Sequence, residues 1–207
     1  YKNTRGAPKR SMYTGNPVRK EFLTGDRVKL DCEKKLLVLG GSGGSRAINT
    51  IFAKSSEKPI KAGYKVHHQT GSKMFDETVA EYEKYVDSKH ASLNIVPYID
   101  DIWDAYKEAD LVIARSGSGT VFETTYSRRP AIYIPFAKSA NDHQYYNADA
   151  MVKKHYARML EEKNLNEDSL LAEIEYVLEN LDNFQLHLAD VEPLDSAELI
   201  ARGITGR

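Results

Sequence analysis

One cysteine, Cys32, is all that the 207 residues contain. That excludes an internal disulfide and any zinc or iron–sulfur site built on thiolates, and it fits a reducing compartment. No run approaches 18 uninterrupted apolar residues, so a membrane-spanning helix is excluded. Charge of one sign is also scarce, at −1 net, which argues against a dedicated nucleic-acid binder. The sequence has no internal repeat and no low-complexity stretch. Lys2, Arg5, Lys9 and Arg10 are not followed by the apolar segment of a signal peptide. The first residue is Tyr1, so the sequence is expected to be a piece of a longer chain. What is there, 41% apolar and 29% charged residues, suits one domain or one and a half and excludes wholesale disorder.

The charges are unevenly placed. Residues 1–35 carry ten Lys/Arg against four Asp/Glu, and residues 161–207 carry three against twelve. A basic front can face a phosphate or an anionic surface. The plainer reading, solvation of opposite ends under salt screening, is favoured.

Hydrophobic periodicity predicts strands over Leu36–Leu39, Tyr64–Gln69, Leu93–Tyr98, Leu111–Ala114, Ala131–Phe136 and, more briefly, Tyr156–Leu160. It predicts helices over Arg46–Lys54, Met74–Val86, Asp101–Glu108, Ser118–Ser127, Asn141–His155, Asn166–Leu181 and Ser196–Arg202. Asp101 and Asn166 are expected helix caps. Strands that are continuous apolar runs, alternating with helices, indicate an α/β, doubly wound parallel sheet that binds ligands beyond the carboxyl ends of its strands. The predicted division is a leader or linker over 1–35, a Rossmann-like domain over 36–185 and a tail helix over 186–207.

Two strand-to-helix turns are rich in glycine. Gly40-Gly41-Ser42-Gly43-Gly44-Ser45 lets the backbone approach a ligand beside a helix N-terminus, which favours anions, but it is not a Walker A loop. Arg115-Ser116-Gly117-Ser118-Gly119-Thr120 offers the same donors with hydroxyls and a guanidinium added. At one sheet edge the two can bracket a diphosphate. Glu123, one turn further, suits ribose hydroxyls, or else merely stabilises a helix start. Asp142-His143-Gln144-Tyr145-Tyr146-Asn147 suits sugar hydroxyls, or is an ordinary polar helix start capped by Asn141 or Asp142. His67 and His68 point to opposite faces of a strand and cannot easily share a metal. No metal-ligand spacing and no nucleophile elbow is found.

In order and spacing, Gly15-Asn16-Pro17-Val18-Arg19, Gly40–Ser45, Tyr98-Ile99-Asp100-Asp101, Arg115-Ser116-Gly117 with Glu123, and Asp142-His143-Gln144 with Asn147 resemble the MurG family of bacterial N-acetylglucosaminyltransferases. The resemblance runs from Thr14 to Ala148 and is more diffuse beyond. It implies one half of a GT-B fold, the C-terminal half, which binds the donor UDP-GlcNAc. It also implies inverting transfer of GlcNAc to lipid I, making lipid II for peptidoglycan, with the general base and acceptor site on an N-terminal domain outside this sequence. The site implied for the donor is Arg19 near the nucleotide; Ser42 and Gly43 at the diphosphate; Tyr98 and Ile99 around the uracil; Arg115, Ser116, Gly117, Ser118, Gly119 and Thr120 along the diphosphate and sugar; Glu123 on the ribose; and His143 and Gln144 on GlcNAc. His143 stands where some members have glutamine. No cofactor, metal, nucleic-acid partner or catalytic residue is implied for this half. Localisation is expected to be cytoplasmic, peripheral on the inner face of the cell membrane, with a lipid-linked acceptor held by the other domain. Alternatives are a separate Alg13-like donor subunit of a lipid-linked GlcNAc transferase and a non-catalytic nucleotide-sugar-binding module. A UDP-GlcNAc epimerase is a weaker option, since its catalytic carboxylates and histidine are not found.

Overall fold

The structure, a computed structural model, describes residues 12–25 and 33–205. Cys32 and the basic residues Lys2, Arg5, Lys9 and Arg10 lie outside the described residues. The elements in order are α1 (Glu21–Thr24), β1 (Lys35–Leu39), α2 (Arg46–Ser55), α3 (Glu57–Lys61), β2 (Lys65–Gln69), α4 (Phe75–Tyr82), β3 (Leu93–Val96), α5 (Ile102–Glu108), β4 (Leu111–Ala114), α6 (Ser118–Tyr126), β5 (Ala131–Tyr133), α7 (His143–Val152), β6 (Ala157–Met159), α8 (Glu167–Glu179), α9 (Leu181–Ala189) and α10 (Ser196–Thr205). Short 3₁₀ turns precede α7 and α8.

The six strands form one parallel sheet in the order β3-β2-β1-β4-β5-β6. Both faces are covered, so alternate residues of one strand enter different cores. Leu36 and Val38 pack with Ile48 and Phe52 of α2, Tyr82 of α4 and Leu170, Ile174 and Val177 of α8. Leu37 and Leu39 pack with Tyr106 of α5, Val121 of α6 and Met151 of α7. This two-sided burial is why the strands read as unbroken apolar runs. The sheet is doubly wound as predicted. Strand order reverses between β1 and β4, which places the switch-point crevice between the two glycine-rich turns.

Sequence periodicity missed three helices. α1 is only four residues long; Phe22 anchors it edge-on against Trp103 and Tyr106, at ring-centroid distances of 5.0 and 5.3 Å. α3 follows α2 after Ser56. α8 ends at Glu179 and α9 begins at Leu181, where the predicted helix runs unbroken to Leu181; α9 runs across residue 185, and its Leu188 is buried in the core around Leu37. The strand predicted to reach Phe136 ends at Tyr133, shortly before Pro135, which has no N–H to give to a ladder. Asp101 caps α5 through the Asp104 N–H, and Asn166 forms a capping box with Ser169 on α8. Neither Asn141 nor Asp142 caps α7 with its side chain. Both are left-handed, with φ of 51° and 53°.

Candidate functional site

The turn after β1 is built by close backbone approach. Gly41 and Gly44 have φ of +81° and +83°, and the Gly40 N–H donates to the Gln69 carbonyl at 2.7 Å. Gly71, in the neighbouring turn after β2, lies so close that a Cβ there would sit 2.2 Å from the Gly44 nitrogen. Ser45 closes the turn, its Oγ accepting the Ile48 N–H.

A buried polar chain lies behind this turn. Asn49 Nδ2 donates to the Thr70 carbonyl (2.8 Å) and to Thr78 Oγ1 (3.2 Å), which leaves its Oδ1 facing His68 Nε2 at 3.1 Å. An acceptor there requires the Nε2–H tautomer, so the Tyr82 hydroxyl, 2.7 Å from Nδ1, is the donor to the ring. Full burial pushes the His68 pKa down to about 3, with the neighbouring His67 adding to the effect. His68 is thus a neutral strut, and His67 faces the other side of the sheet, as the strand geometry predicts. Among the described residues no cluster of three or more His, Cys, Asp or Glu side chains could hold a metal ion.

The turn after β4 is stiffened from the other side. Ser116 is buried, its Oγ donating to the Gln144 carbonyl (2.7 Å) and its carbonyl accepting from Asn147 Nδ2 (3.0 Å). Arg115 Nη1 donates to the carbonyls of Ile134 (3.0 Å) and Pro135 (3.2 Å), while Nη2 pairs with Glu162 at 2.5 Å. The Arg115 guanidinium lies 5.3 Å from the centre of the Phe136 ring. Burial pushes the Glu162 carboxyl up, but the Ala137 N–H and Arg115 outweigh that and hold it below the usual range. Gly117 starts α6 without a side-chain cap, so the first N–H groups of this helix, at Ser118, Gly119 and Thr120, have no side chain on them from the cap position.

Between the two turns lies a cavity of about 200 Å³. Seven of the predicted site residues line it: Arg19, Ser42, Tyr98, Ile99, Arg115, Thr120 and Glu123. Arg19 lies just before α1, its carbonyl accepting the N–H of the anchored Phe22 at 3.1 Å, and its Nη2 lies 3.4 Å from the Tyr98 hydroxyl. Glu123 is half-buried on α6. Burial raises its pKa, and the charge of Arg19 works against that rise.

The structure sets other predicted residues around this cavity and not in its wall. Gly43 is exposed on the turn, Ser116 is held beneath α7, and Gly117, Ser118 and Gly119 form the start of α6. His143 and Gln144 hold their own loop: His143 Nδ1 donates to the Ala140 carbonyl at 2.8 Å, and Gln144 Oε1 accepts the Phe136 N–H at 3.0 Å. A second cavity of about 330 Å³ opens beside them, lined by Phe136, Tyr145, Tyr146 and Glu161–Lys163. Sequence reasoning missed Gln69, which lines the first cavity and accepts the Ile99 N–H through Oε1 at 3.0 Å. The available signal was its place at the end of a strand beside the glycine turn.

The chain is 34% identical, over 94% of its length, to a UDP-N-acetylglucosamine--N-acetylmuramyl-(pentapeptide) pyrophosphoryl-undecaprenol N-acetylglucosamine transferase of Geotalea uraniireducens, of which it covers 55%. It is 38% identical, over 79% of its length, to the like-named protein of Francisella tularensis, of which it covers 45%. The chain spans about half the length of the curated relatives it matches. Its fold is shared with the crystal structure of Acinetobacter baumannii MurG, at a TM-score of 0.67 and 24% identity over 84% of this chain and 50% of that one. The calicheamicin glycosyltransferase CalG4 also has this fold, at a TM-score of 0.62 and 16% identity over 97% of this chain and 48% of that one. Residues 35–194 match the glycosyltransferase family 28 C-terminal domain. With that match extending from β1 through all six strands and both glycine-rich turns, the chain belongs to glycosyltransferase family 28, as its C-terminal domain.

Proposed function

We propose that this chain is the donor-binding half of an N-acetylglucosaminyltransferase that takes UDP-GlcNAc and serves transfer to a lipid-linked muramyl acceptor in peptidoglycan synthesis. The observation that carries this reading is the convergence of Arg19, Ser42, Tyr98, Ile99, Thr120 and Glu123 on one cavity at the switch point of the sheet. The uncapped start of α6 supplies N–H donors and the positive end of a helix dipole for the diphosphate. Glu123 accepts from the ribose hydroxyls, and Tyr98 and Ile99 flank the base.

In glycosyl transfer, positive charge develops on the sugar ring and negative charge on the departing nucleotide. Donors fixed before reaction stabilise the departing charge without reorganising. In this chain those donors are the first turn of α6, the Thr120 hydroxyl and the Ser42 turn. Arg115 acts one step back. Its bonds to Ile134, Pro135 and Glu162 hold the turn after β4 against the loop that bears His143 and Gln144. We assign the acceptor and the general base to a second domain, because the chain spans about half the length of its relatives. Attachment to the inner face of the cell membrane belongs to the same proposal. Among the described residues no helix is long and apolar enough to cross a membrane.

Calorimetric titration with UDP-GlcNAc, UDP-GalNAc and ADP-glucose tests the reading. Binding of the UDP sugars is expected, without binding of ADP-glucose. Glu123→Ala should weaken the UDP sugars by about 10- to 100-fold, the worth of hydrogen bonds to a charged group. Equal binding of ADP-glucose, or a Glu123→Ala variant that binds like wild type, contradicts it.

A further inference from the structure

Tyr106 of α5 and Thr124 of α6 are both buried, at 0% and 1% exposure, and their hydroxyls meet at 3.3 Å. Thr124 Oγ1 has a single proton, which goes to the Thr120 carbonyl at the shorter distance of 2.7 Å. The proton between the two hydroxyls is therefore that of Tyr106, which donates to Thr124. Burial, with the charge of Glu123 adding to it, pushes the Tyr106 pKa far above its ordinary value, so that proton stays in place. The relay from Tyr106 through Thr124 to the Thr120 carbonyl runs into the first turn of α6. There Thr120 and Glu123 both line the cavity at the switch point.

The same tyrosine touches the other elements around that cavity. Its ring packs edge-on against Phe22 at 5.3 Å, and the Phe22 N–H donates to the Arg19 carbonyl. Ile102, the first residue of its own helix, lines the cavity together with Tyr98 and Ile99. A phenylalanine ring would serve that packing equally well. The hydroxyl is what packing does not explain, since burying it costs free energy that its bond to Thr124 must offset. In a helix, successive side chains are about 100° apart, so a fixed direction for Thr124 fixes the direction of Glu123 as well.

We infer that Tyr106 is a positioning residue for the nucleotide: its hydroxyl sets the rotation of α6 through Thr124 and so aims the adjacent Glu123 at the ribose hydroxyls. The inference rests on the reading of this cavity as a nucleotide-sugar site. A hydrogen bond weakens steeply as its angle closes, so a small rotation of α6 costs Glu123 its hold on the ribose while the base and diphosphate contacts persist.

The test is the ratio of affinities for UDP and 2′,3′-dideoxy-UDP, measured for the wild-type chain, Tyr106→Phe, Thr124→Val and the double variant. Both ligands carry the same base and diphosphate, so a general loss of folded protein cancels in the ratio, and a merely structural role for Tyr106 leaves it unchanged. Wild type should prefer UDP by about 10- to 100-fold, the worth of hydrogen bonds to a charged group. Tyr106→Phe and Thr124→Val should each lose at least about threefold of that preference, and the double variant no more than either alone, because both break one relay. Thr124→Ser, which keeps the hydroxyl, should keep the preference. A ratio unchanged in Tyr106→Phe, losses that multiply in the double variant, or a Thr124→Ser chain that behaves like Thr124→Val overturns the role of Tyr106 and leaves the nucleotide site standing. A wild-type chain that does not bind UDP, or binds both ligands equally, overturns the role of Tyr106 together with the reading of the site.

Discussion

The turns after β1 and β4 occupy equivalent places on either side of the switch point, and both are rich in glycine. The residues make them look like twin anion cradles, but they are built differently. In the first, glycine provides backbone proximity: Gly44 and Gly71 pass so closely that neither tolerates a side chain, and Ser45 caps the helix behind them. In the second, Gly117 leaves the start of α6 uncapped, and rigidity comes from side chains instead, through Ser116, Asn147 and the Arg115–Glu162 pair. One turn spends its glycines on packing, while the other leaves helix N–H groups free for a ligand. In the proposed donor site the diphosphate is therefore assigned to α6, and Gly41 and Ser42 of the first turn line the same cavity.

Four substitutions break or sharpen this comparison. Gly71→Ala should do most damage, because its Cβ would collide with the backbone of the first turn at a φ of +83°. A loss of about 2 kcal/mol or more is expected, seen as a fall of roughly 4–8 °C in Tm. His68→Gln probes the strut behind the same turn. The folded-state pKa of His68 is depressed to about 3, against about 6.5 in the unfolded chain. Its stabilising neutrality is fully present above the unfolded value and is lost as pH falls from there towards the folded value. Wild type should lose stability by up to on the order of 1 kcal/mol per pH unit in that window, and denaturant titrations should show a flatter slope for the variant.

The second turn gives subtler effects. Arg115→Met should weaken UDP and uridine by the same factor if the guanidinium acts only by holding the turn, whereas a direct phosphate contact would weaken UDP alone. Gly117→Ser is the smallest change and the most discriminating. No atom lies within 4 Å of a Cβ placed there. A serine cap should stabilise the fold by a few tenths of a kcal/mol. At the same time it should compete for the N–H groups and weaken UDP several-fold.

The fold was legible wherever burial is two-sided, because β1, β2 and β4 become apolar runs that no surface element would carry. α1 was not legible, since one aromatic, Phe22, holds it through Trp103 and Tyr106, some 80 positions away in sequence. The cleft was legible from Ser42, Arg115, Thr120 and Glu123 because short strand–turn–helix units fix their placement locally. The orientation of the His143 and Gln144 side chains was not legible, because hydrogen bonds to Ala140 and Phe136 and the left-handed pair Asn141-Asp142 set it. Gln69 escaped notice because its importance lies in one bond to Ile99, thirty residues on.

The central claim is that a nucleotide diphosphate sits between these two turns, against the start of α6. Mapping amide shifts of the ¹⁵N-labelled chain during a UDP titration tests it most directly. The largest shifts are expected at Ser118, Gly119 and Thr120, with Ile99 and the Gln69 side chain following. Shifts confined instead to the aromatic cavity at Phe136 and Tyr146, or to the groove near His67 and Asn94 at the opposite edge of the sheet, would contradict the account.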